Sequence, residues 1–452
     1  MTKKQNDLVS NPFARLQNNS ENHLTSPIQK IDRNDPVPLS FQQERLWFLN
    51  RLDEKAGNSY RMDVGFQFEG NLDINAFRRT ISCLLERHDN LRTVFRPNEN
   101  GTPHQVIHDK IDVSNVVNIL EHENLDEQSL SARIAELLSR PFDLEKGPLF
   151  RVHVIKLASD RHALIFSGHH IILDGWSMGI LAKEISRLYR QETTGTPAGL
   201  AALPIQYPDY AAWQREVLSG KPMQKELSWW KEQLSGIPDP ISLPSDRPRP
   251  EVMDYNGAAV PVSISKKTAD KLNRLAQDHQ ATLFMVLEAA LASLLSRMGA
   301  GDDVVIGTAV AGRPRPEFAN LCGFFANTLV LRNRIDLQNS FDCQLASVRD
   351  TVVDAFAHRL TPFRVVIDAT DTTRSLRHAP VVQVVCTLQN TPDADKSFEL
   401  HAGKTSPLWG AERRYNSKFE LWFSLTETEK GIEGVLEYSR QLFDRSTAER
   451  LS

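Results

Sequence analysis

The chain has 452 residues, of which 40% are hydrophobic and 24% are charged, and its formal net charge is −4 at pH 7. This length exceeds what one hydrophobic core usually serves, so we expect two lobes. The nearly balanced charge, without a basic stripe, argues against a protein that binds nucleic acid or a membrane surface.

The four cysteines, at positions 83, 322, 343 and 386, lie singly within apolar patterns. They are typical of reduced core residues in a cytosolic protein, not of a disulfide framework. The N-terminus has no apolar stretch that would form a signal peptide, and we expect no run long enough to span a bilayer. These features together predict a cytoplasmic protein.

The chain begins with a polar segment that is rich in Asn, Gln, Ser and Lys. We predict that residues 1–35 form a mobile tail or linker and that order begins near Pro36. Ser40, followed three residues later by Gln43, is a capping-box pattern that starts an amphipathic helix. We assign the side chains of that helix to packing.

Strands and helices then alternate. Spaced apolar residues over 64–68 predict a half-buried strand. A helical stripe runs from the capping residue Asp73 to Arg87, where the dipole of the helix C-terminus favours His88. We expect Arg87 and Arg92 to pin this helix to the sheet. The next predicted elements are a helix over 126–138 and strands near 149–157 and 161–168.

The stretch Ser167 to Ser177 contains two adjacent histidines, His169 and His170, followed by Asp174 and Gly175. It lies between an apolar run and a helical pattern, so we predict a strand, a tight turn that Gly175 permits, and a helix. Neighbouring residues of a strand point to opposite faces, so the two histidines cannot share one role. One should face a cavity while the other packs or holds the turn.

Two imidazoles and a carboxylate at this spacing suit an active site, a metal site or a hydrogen-bonded core cluster. The only other spaced pair, His104 and His108, lies in a loop-like segment with no cysteine or further histidine close by in sequence, which argues against a metal. From the residues alone, an active site and a core cluster remain equally open.

A loop over 193–204 separates the first lobe from the rest of the chain, and a proline-dense linker spans 238–250. We therefore divide the ordered chain into an N-terminal lobe, 36–205, and linker helices with a C-terminal lobe, 206–452. The later predicted elements are a helix from Tyr207, helices over 266–279 and 282–298, and strands over 304–307, 419–427 and 431–438.

The run His169-His170-x-x-x-Asp174-Gly175 is similar to the HHxxxDG signature of nonribosomal peptide synthetase condensation domains and of the wider chloramphenicol-acetyltransferase-like acyltransferases. Six further regions, in the expected order, resemble other motifs of that family. They are residues 39–49 (SxAQxRLWxL), 87–95 (RHExLRTxF), 207–213 (YxDFAxW), 322–332 (IGxFVNTLxLR), 358–364 (HQDxPFE) and 374–384 (RxxSxxPLFQ). The chain departs from the last two motifs at Arg359, Leu360, Arg364 and Arg377.

The resemblance implies an α/β (α+β) fold of two chloramphenicol-acetyltransferase-like lobes, which form a V-shaped pseudodimer with a central tunnel. It implies an amide-bond-forming acyltransferase in which the α-amine of an acceptor attacks a donor acyl or peptidyl thioester. Both substrates would be carried on phosphopantetheine arms, so no cofactor or metal is expected in the domain itself. The implied partners are upstream and downstream peptidyl carrier proteins and the adjacent adenylation domain of a synthetase that makes an antibiotic or other secondary metabolite.

The resemblance also assigns roles to residues. His170 would hydrogen-bond the attacking amine, position it and accept its proton, with His169 supporting it from the other face and Asp174 and Gly175 shaping the loop. Arg313 is expected to pair with Asp174 across the lobes through an arginine fork. The candidate channel residues are Trp176, Ser177 and Asn327.

Several subtypes fit the resemblance. The region around Trp176 is similar to domains that join an L-configured donor to an L acceptor, and a starter domain with a fatty acyl donor is the close rival. Starting at Met1 fits a starter or a module that docks in trans, and ending at Ser452 suggests a piece cut from a longer synthetase. Two alternatives of another kind are a non-catalytic recruitment domain and a free-standing acyltransferase. The tryptophan directly after Asp174-Gly175 argues against an epimerization domain, which shares the signature but has its tryptophan later. The two histidines argue against a heterocyclization domain, and the intact signature argues against a recruitment domain.

Overall fold

The computed structural model describes residues 26–53, 57, 59–121, 125–370, 375–389, 398–409 and 417–452. The strands in these ranges are β1 (Val37–Pro38), β2 (Arg61–Gly70), β3 (Thr93–Pro97), β4 (Pro103–Ile107), β5 (Val117–Glu121), β6 (Phe150–Ala158), β7 (Arg161–His169), β8 (Gly257–Ser265), β9 (Asp303–Val310), β10 (Asn327–Arg334), β11 (Val384–Gln389), β12 (Gly403–Pro407), β13 (Leu421–Thr428) and β14 (Gly431–Ser439). The α-helices are α1 (Phe41–Leu52), α2 (Ile74–Arg87), α3 (Glu127–Ser139), α4 (Gly175–Thr194), α5 (Tyr207–Val217), α6 (Gly220–Leu234), α7 (Lys266–Asp278), α8 (Leu283–Leu295), α9 (Phe341–Ala357), α10 (Phe363–Ala369) and α11 (Arg445–Leu451).

The first lobe is built on a five-stranded sheet with the order β12-β2-β7-β6-β5, beside a small sheet with the order β1-β4-β3. Its central strand is β7, which is buried from His162 to His169. Leu164 and Phe166 join the main core on one face, whereas Ala163 and Ile165 join a second cluster with α3 on the other. Because both faces are covered, β7 reads as a continuous apolar run in the sequence.

The second lobe is built on a six-stranded sheet with the order β10-β9-β11-β13-β14-β8. β11 runs parallel to both β9 and β13, and the remaining pairs are antiparallel. The apolar faces of α8 and α9 cover this sheet and form one core with it. The two mixed lobes confirm the α+β fold class that the sequence predicted.

Local signals in the sequence located most of the elements. Ser40 and Gln43 form the predicted capping box, and the Asp73 side chain caps α2. Within a few residues at each end, the predicted helix over 126–138 is α3, the helix over 266–279 is α7, and the paired strands near the C-terminus are β13 and β14.

The prediction that no run is long enough to span a bilayer is wrong on length and composition. The stretch Leu283–Ala300, which comprises α8 and the turn after it, has 18 residues and is apolar enough by those two measures. However, 61% of it is buried inside the protein, where α8 contributes to the second-lobe core. This burial is typical of a core helix.

The predicted boundary of the N-terminal tail is also corrected. Residues 26–35 are attached to the folded chain and do not form a mobile segment. The backbone N–H of Ile31 donates to Asp209 at 2.9 Å, and the two terminal nitrogens of Arg33 donate to the two oxygens of the same carboxylate at 2.8 and 3.1 Å. The Asp209 carboxylate that accepts these hydrogen bonds is 1% exposed, whereas the Arg33 side chain is 30% exposed, so the segment is anchored to a buried carboxylate. Residues 1–25 of the predicted tail lie outside the described residues.

The predicted division into lobes at 205 and 206 needs a second correction. Strand β12 pairs with β2 along its whole length and becomes the edge strand of the first-lobe sheet. Phe398 and Leu400, just before it, pack in the first-lobe core. The chain therefore crosses back to the first lobe near residue 400. The two lobes are held together by this exchanged strand as well as by side-chain contacts.

The lobes also meet at an aromatic cluster beneath the interface. Tyr207 and Tyr210 of α5 pack against Phe318 and Phe325 of the second lobe. The Tyr207 hydroxyl donates to the carbonyl of Phe324 at 2.7 Å and lies 2.9 Å from the Ser40 hydroxyl. Gly323 passes directly over this ring, since a Cβ atom added there would lie 1.8 Å from the Tyr207 ring.

This close approach gives a test of the lobe interface. We expect Gly323→Ala to lower the free energy of unfolding by about 1–3 kcal/mol or more, because the added methyl overpacks the junction. Gly179→Ala is the matched control: a Cβ at Gly179 in α4 meets no atom within 4 Å, so a gain of about 0.5–1 kcal/mol is expected. Chemical denaturation measures both, and equal effects would contradict the packing described here.

Candidate active site

The stretch with the two histidines forms the predicted strand, turn and helix. β7 ends at His169, and α4 begins at Gly175. The turn between them is fixed by backbone hydrogen bonds: the N–H of His170 donates to the Tyr60 carbonyl at 2.8 Å, and that of Ile172 donates to the His169 carbonyl at 3.1 Å. Both imidazoles are therefore held at the end of the central strand of the first lobe.

Gly175 does not play the part that we predicted. It is the first residue of α4, and its backbone does not have a positive φ. A Cβ atom added at this position would meet no atom within 4 Å. Neither a left-handed turn nor a close contact within the protein requires a glycine at this position.

The two histidines are held in opposite tautomers. His169 Nδ1 accepts a hydrogen bond from the backbone N–H of Ile171 at 3.1 Å, so in a neutral ring the proton is on Nε2. His170 Nδ1 lies 2.9 Å from the Leu173 carbonyl oxygen, which can only accept, so this Nδ1 carries the proton. The lone pair of neutral His170 is consequently on Nε2.

The structure also separates the histidines by environment, although His170 lies in the turn, one residue after the end of β7, and not in the strand. His169 is buried, with its ring edge-on to Phe142 at a centroid distance of 6.2 Å. His170 is half-buried and lines a cavity of about 110 Å³ between the two lobes. Other residues that line this cavity are Tyr60, Phe324, Asn327, Lys418 and Trp422. The ring of His170 tilts against Phe324 at a centroid distance of 4.7 Å.

Burial keeps both imidazoles neutral. It lowers the pKa of His169 to about 3. The pKa of His170 lies well below its usual value, first because of burial and second because of the positive charge of Lys418. The Lys418 ammonium itself rests over the Tyr60 ring, 4.5 Å from its centroid. A neutral His170 presents a hydrogen-bond acceptor to the cavity across the physiological pH range.

Asp174 lies behind the histidines and receives hydrogen bonds from both lobes. Its Oδ1 accepts from the backbone N–H of Ser177 at 2.8 Å, which caps α4, and from Arg313 Nη2 at 3.1 Å. Its Oδ2 accepts from the backbone N–H of Phe325 at 3.1 Å. The carboxylate is 2% exposed and Arg313 is 3% exposed, so the pair is fully buried. Asp174 is therefore placed to organise the interface and does not line the cavity.

Arg313 pairs with Asp174 as expected, although not as a fork. Only Nη2 reaches the carboxylate, whereas Nη1 donates to the carbonyls of Phe318 and Leu321 at 2.5 and 2.7 Å. The guanidinium plane also lies over the Phe325 ring, 4.0 Å from its centroid. One arginine thus holds the second-lobe loop and the first-lobe turn together.

The three candidate channel residues have separate positions. Trp176 donates from Nε1 to the Ala319 carbonyl at 2.9 Å and is a contact between lobes. Ser177 is fully buried, with its hydroxyl 2.7 Å from Asp174 Oδ1, so it supports the ion pair and does not line a channel. Asn327 does line the cavity, and its amide also bonds to the backbone of residues 359–363.

The two arginines near the end of α2 are also separated. Arg92 ties the Leu85 carbonyl of α2 to the carbonyls of His108 and Asp109, just after β4, as predicted for a link between helix and sheet. Arg87 instead forms an ion pair with Glu184 of α4 at 3.0 Å and joins two helices. The prediction that Arg87 pins its helix to the sheet is therefore wrong.

Sequence reasoning missed several residues of the cavity. Tyr60, Lys418 and Trp422 come from distant segments, and none lies beside a polar motif that would have marked it. A weak signal for Tyr60 was available, because it immediately precedes the strand that pairs with β7. In the part of the chain that the structure describes, no group of three or more His, Cys, Asp or Glu side chains could hold a metal ion.

Comparison with known proteins gives consistent matches. The family model of the condensation domain matches residues 33–452. The chain is similar to a linear gramicidin synthase of Brevibacillus parabrevis, with 36% identity over 449 residues, which is 98% of this chain but 6% of that relative. It is also similar to the phosphinothricin tripeptide synthetase of Streptomyces viridochromogenes, with 39% identity over 430 residues, which is 94% of this chain and 39% of that relative.

Among solved structures, the chain resembles the X-domain from teicoplanin biosynthesis with a TM-score of 0.84 and 29% identity, over 94% of both chains. It shares its fold with the first condensation domain of the calcium-dependent antibiotic synthetase in complex with a substrate analogue. In that case the TM-score is 0.75 and the identity is 19%, over 93% of this chain and 94% of the other.

The buried ion pair between the lobes should be essential for stability. We expect Asp174→Ala and Arg313→Ala each to lower the free energy of unfolding by about 3–5 kcal/mol, because each leaves an uncompensated buried charge. The control is Asp270→Ala, which breaks an exposed pair with Lys266 and should change it by about 1 kcal/mol or less. Thermal and chemical unfolding measure these effects, and losses no larger than the control would exclude the structural role.

The buried imidazole of His169 makes stability depend on pH. Its pKa is about 3 when folded and about 6.5 when unfolded, so the unfolded chain takes up a proton first and stability falls as the pH drops below 6.5. We expect the stability of the wild type relative to His169→Gln to fall by about 2 kcal/mol from pH 7 to pH 5. Urea denaturation at both values measures this, and a constant difference would contradict a neutral buried ring.

Proposed function

The chain belongs to the condensation-domain family of nonribosomal peptide synthetases, and we propose that it forms an amide bond between two thioester-bound substrates. The acceptor would be an aminoacyl thioester, and the donor an acyl or peptidyl thioester. The observation that carries this proposal is the position of His170, whose ring lines the cavity between the lobes with its lone pair on Nε2.

The proposed reaction follows from the protonation states. The acceptor α-amine attacks the donor carbonyl carbon, the carbon–sulfur bond breaks, and the departing thiolate takes up the proton that the amine loses. An α-amine has a pKa of about 7.7–8.0, so part of it is already neutral at cellular pH. A base therefore has only modest work to do in this step.

His170 is suited to positioning more than to strong base catalysis. Its lowered pKa makes it a weak base but leaves Nε2 available as an acceptor. A hydrogen bond from the amine to Nε2 would orient the nitrogen lone pair towards the thioester. Orientation of two tethered reactants can lower a barrier by about 7–11 kcal/mol, which is the larger contribution. His170 then relays the proton as the new bond forms.

The substrates and partners complete the proposal. Both thioesters would be carried on phosphopantetheine arms of peptidyl carrier proteins that approach the cavity from opposite faces, so the domain would need no bound cofactor. An adenylation domain of the same cytoplasmic synthetase would load the acceptor carrier. We propose an L donor and an L acceptor on the basis of the residues around Trp176, and the rival is a starter domain that takes a fatty acyl donor.

A second candidate is a domain that recruits a partner protein and forms no bond. It is favoured by the similarity to the teicoplanin X-domain, which has also been solved in complex with OxyB. Catalysis is favoured by the intact HHxxxDG signature and by the position of His170, which lines the cavity with its lone pair on Nε2. The two candidates differ in one respect, since a recruiting domain would bind its partner equally well without the His170 imidazole.

Substitution of His170 provides the test. We expect His170→Ala to lower the rate of amide formation by about 10²- to 10⁴-fold, with unchanged melting temperature and carrier affinity, because the variant loses the acceptor for the amine. The assay is mass spectrometry of carrier-bound products, with aminoacyl-carrier, acyl-carrier and acyl-coenzyme A donors compared side by side.

The matched control is His279→Ala, a histidine at the end of α7 that lies outside the cavity and should retain full activity. Retention of near-wild-type turnover by His170→Ala would contradict the assignment. A wild type that binds carriers but forms no product with any donor would favour the recruiting role.

A further inference from the structure

The indole of Trp422 is one of the large side chains that the second lobe contributes to the cavity wall. This residue lies on β13, in register with Val385 of the parallel strand β11, and both residues line the cavity. Side chains in register on neighbouring strands point to the same face of a sheet. Trp422 and Val385 therefore form one continuous apolar stretch of wall, supplied by the second lobe, whereas His170 is supplied by the first.

The indole is held in one orientation. Its Nε1–H donates to the hydroxyl of Thr387 at 3.1 Å, and Thr387 is a buried residue two positions after Val385 on the same face of β11. The ring of Phe419 meets the indole edge-on, with centroids 6.1 Å apart and planes at 89°. A rotation of the indole would leave its N–H without this acceptor and disrupt the aromatic contact. The indole of Trp422 therefore limits how far a substrate side chain can extend towards this wall of the cavity.

A fixed wall in a small cavity selects substrates by size. The cavity has a volume of about 110 Å³, and the wall that Trp422 and Val385 form does not supply a charge or a free hydrogen-bond donor. Against an apolar wall of this kind one methylene changes selectivity by roughly 10- to 200-fold. A side chain that overfills the space must displace the indole or move away from His170.

We infer that Trp422 limits the size of the side chain on an amino acid that reacts in this cavity. The domain then accepts glycyl, alanyl or seryl groups in preference to aromatic ones. This inference rests on the proposed function, because it takes the cavity beside His170 as the place of reaction. The side chain can belong to the donor or to the acceptor, and the experiment separates these two sources.

The test compares the wild type, Trp422→Ala and Trp422→Phe with two series of carrier-bound thioesters. In the acceptor series, alanyl and phenylalanyl acceptors compete for an alanyl donor; in the donor series the roles are exchanged. We expect the wild type to favour alanyl groups and Trp422→Ala to reduce that preference by about tenfold or more in one series. Trp422→Phe keeps an aromatic wall and should retain most of the preference.

A preference that Trp422→Ala leaves unchanged in both series overturns the inference. Thr387→Val provides a second variant in case Trp422→Ala does not fold: it removes the acceptor of the indole N–H at nearly constant shape and should relax the same preference to a smaller degree. If the wild type forms no amide bond with any pair, the proposed function fails. The inference is then decided by calorimetry, in which Trp422→Ala should gain affinity for phenylalanyl-pantetheine relative to alanyl-pantetheine.

Discussion

The rest of this structure depends on the hydrogen bonds that the Asp174 carboxylate accepts from both lobes. One of its oxygens caps the helix that follows the histidine turn and receives Arg313 from the other lobe, while the second oxygen receives a backbone N–H of the other lobe. A buried carboxylate with this many donors is satisfied only when both lobes are in place. The same group thus sets the start of α4 and the relative position of the lobes.

The position of His170 follows from this arrangement. The turn between β7 and α4 is short, and its two ends are fixed by the β-sheet and by the Asp174 cap. The Leu173 carbonyl, one residue before that cap, then lies where it accepts a hydrogen bond from Nδ1 of His170. The lobe interface fixes the helix cap, and the cap in turn fixes the tautomer of His170. In the proposed function, their combined result is an uncharged acceptor facing the reacting amine.

Local chemistry explains why parts of the structure were predictable. The caps at Ser40 and Asp73 depend on near neighbours in the chain, and the structure contains both. The exchange of β12 into the first lobe was not predictable, because its pairing with β2 joins residues more than 300 positions apart and leaves no local pattern.

In the candidate active site, too, the features that depend on distant residues were not predictable from local patterns in the sequence. The pairing of Arg313 with Asp174 was expected only because of the family resemblance, since the two residues are 139 positions apart. The resemblance did not reveal that the guanidinium divides its donors between the carboxylate and two carbonyls. Lys418 reaches the cavity from the segment just before β13. Trp422 reaches it from β13, where its position depends on strand register. Register is a tertiary property that one sequence does not display.

The central claim is that His170 presents a neutral imidazole, protonated on Nδ1, to the cavity. Nitrogen-15 NMR of histidine-labelled protein, with the His170 signal assigned by its absence from His170→Ala, tests this directly. We predict a protonated Nδ1 and an unprotonated Nε2 that do not titrate between about pH 6 and pH 8, beside the opposite tautomer for His169. A His170 ring that titrates near its ordinary pKa of about 6.5, or that carries its proton on Nε2, would contradict the account.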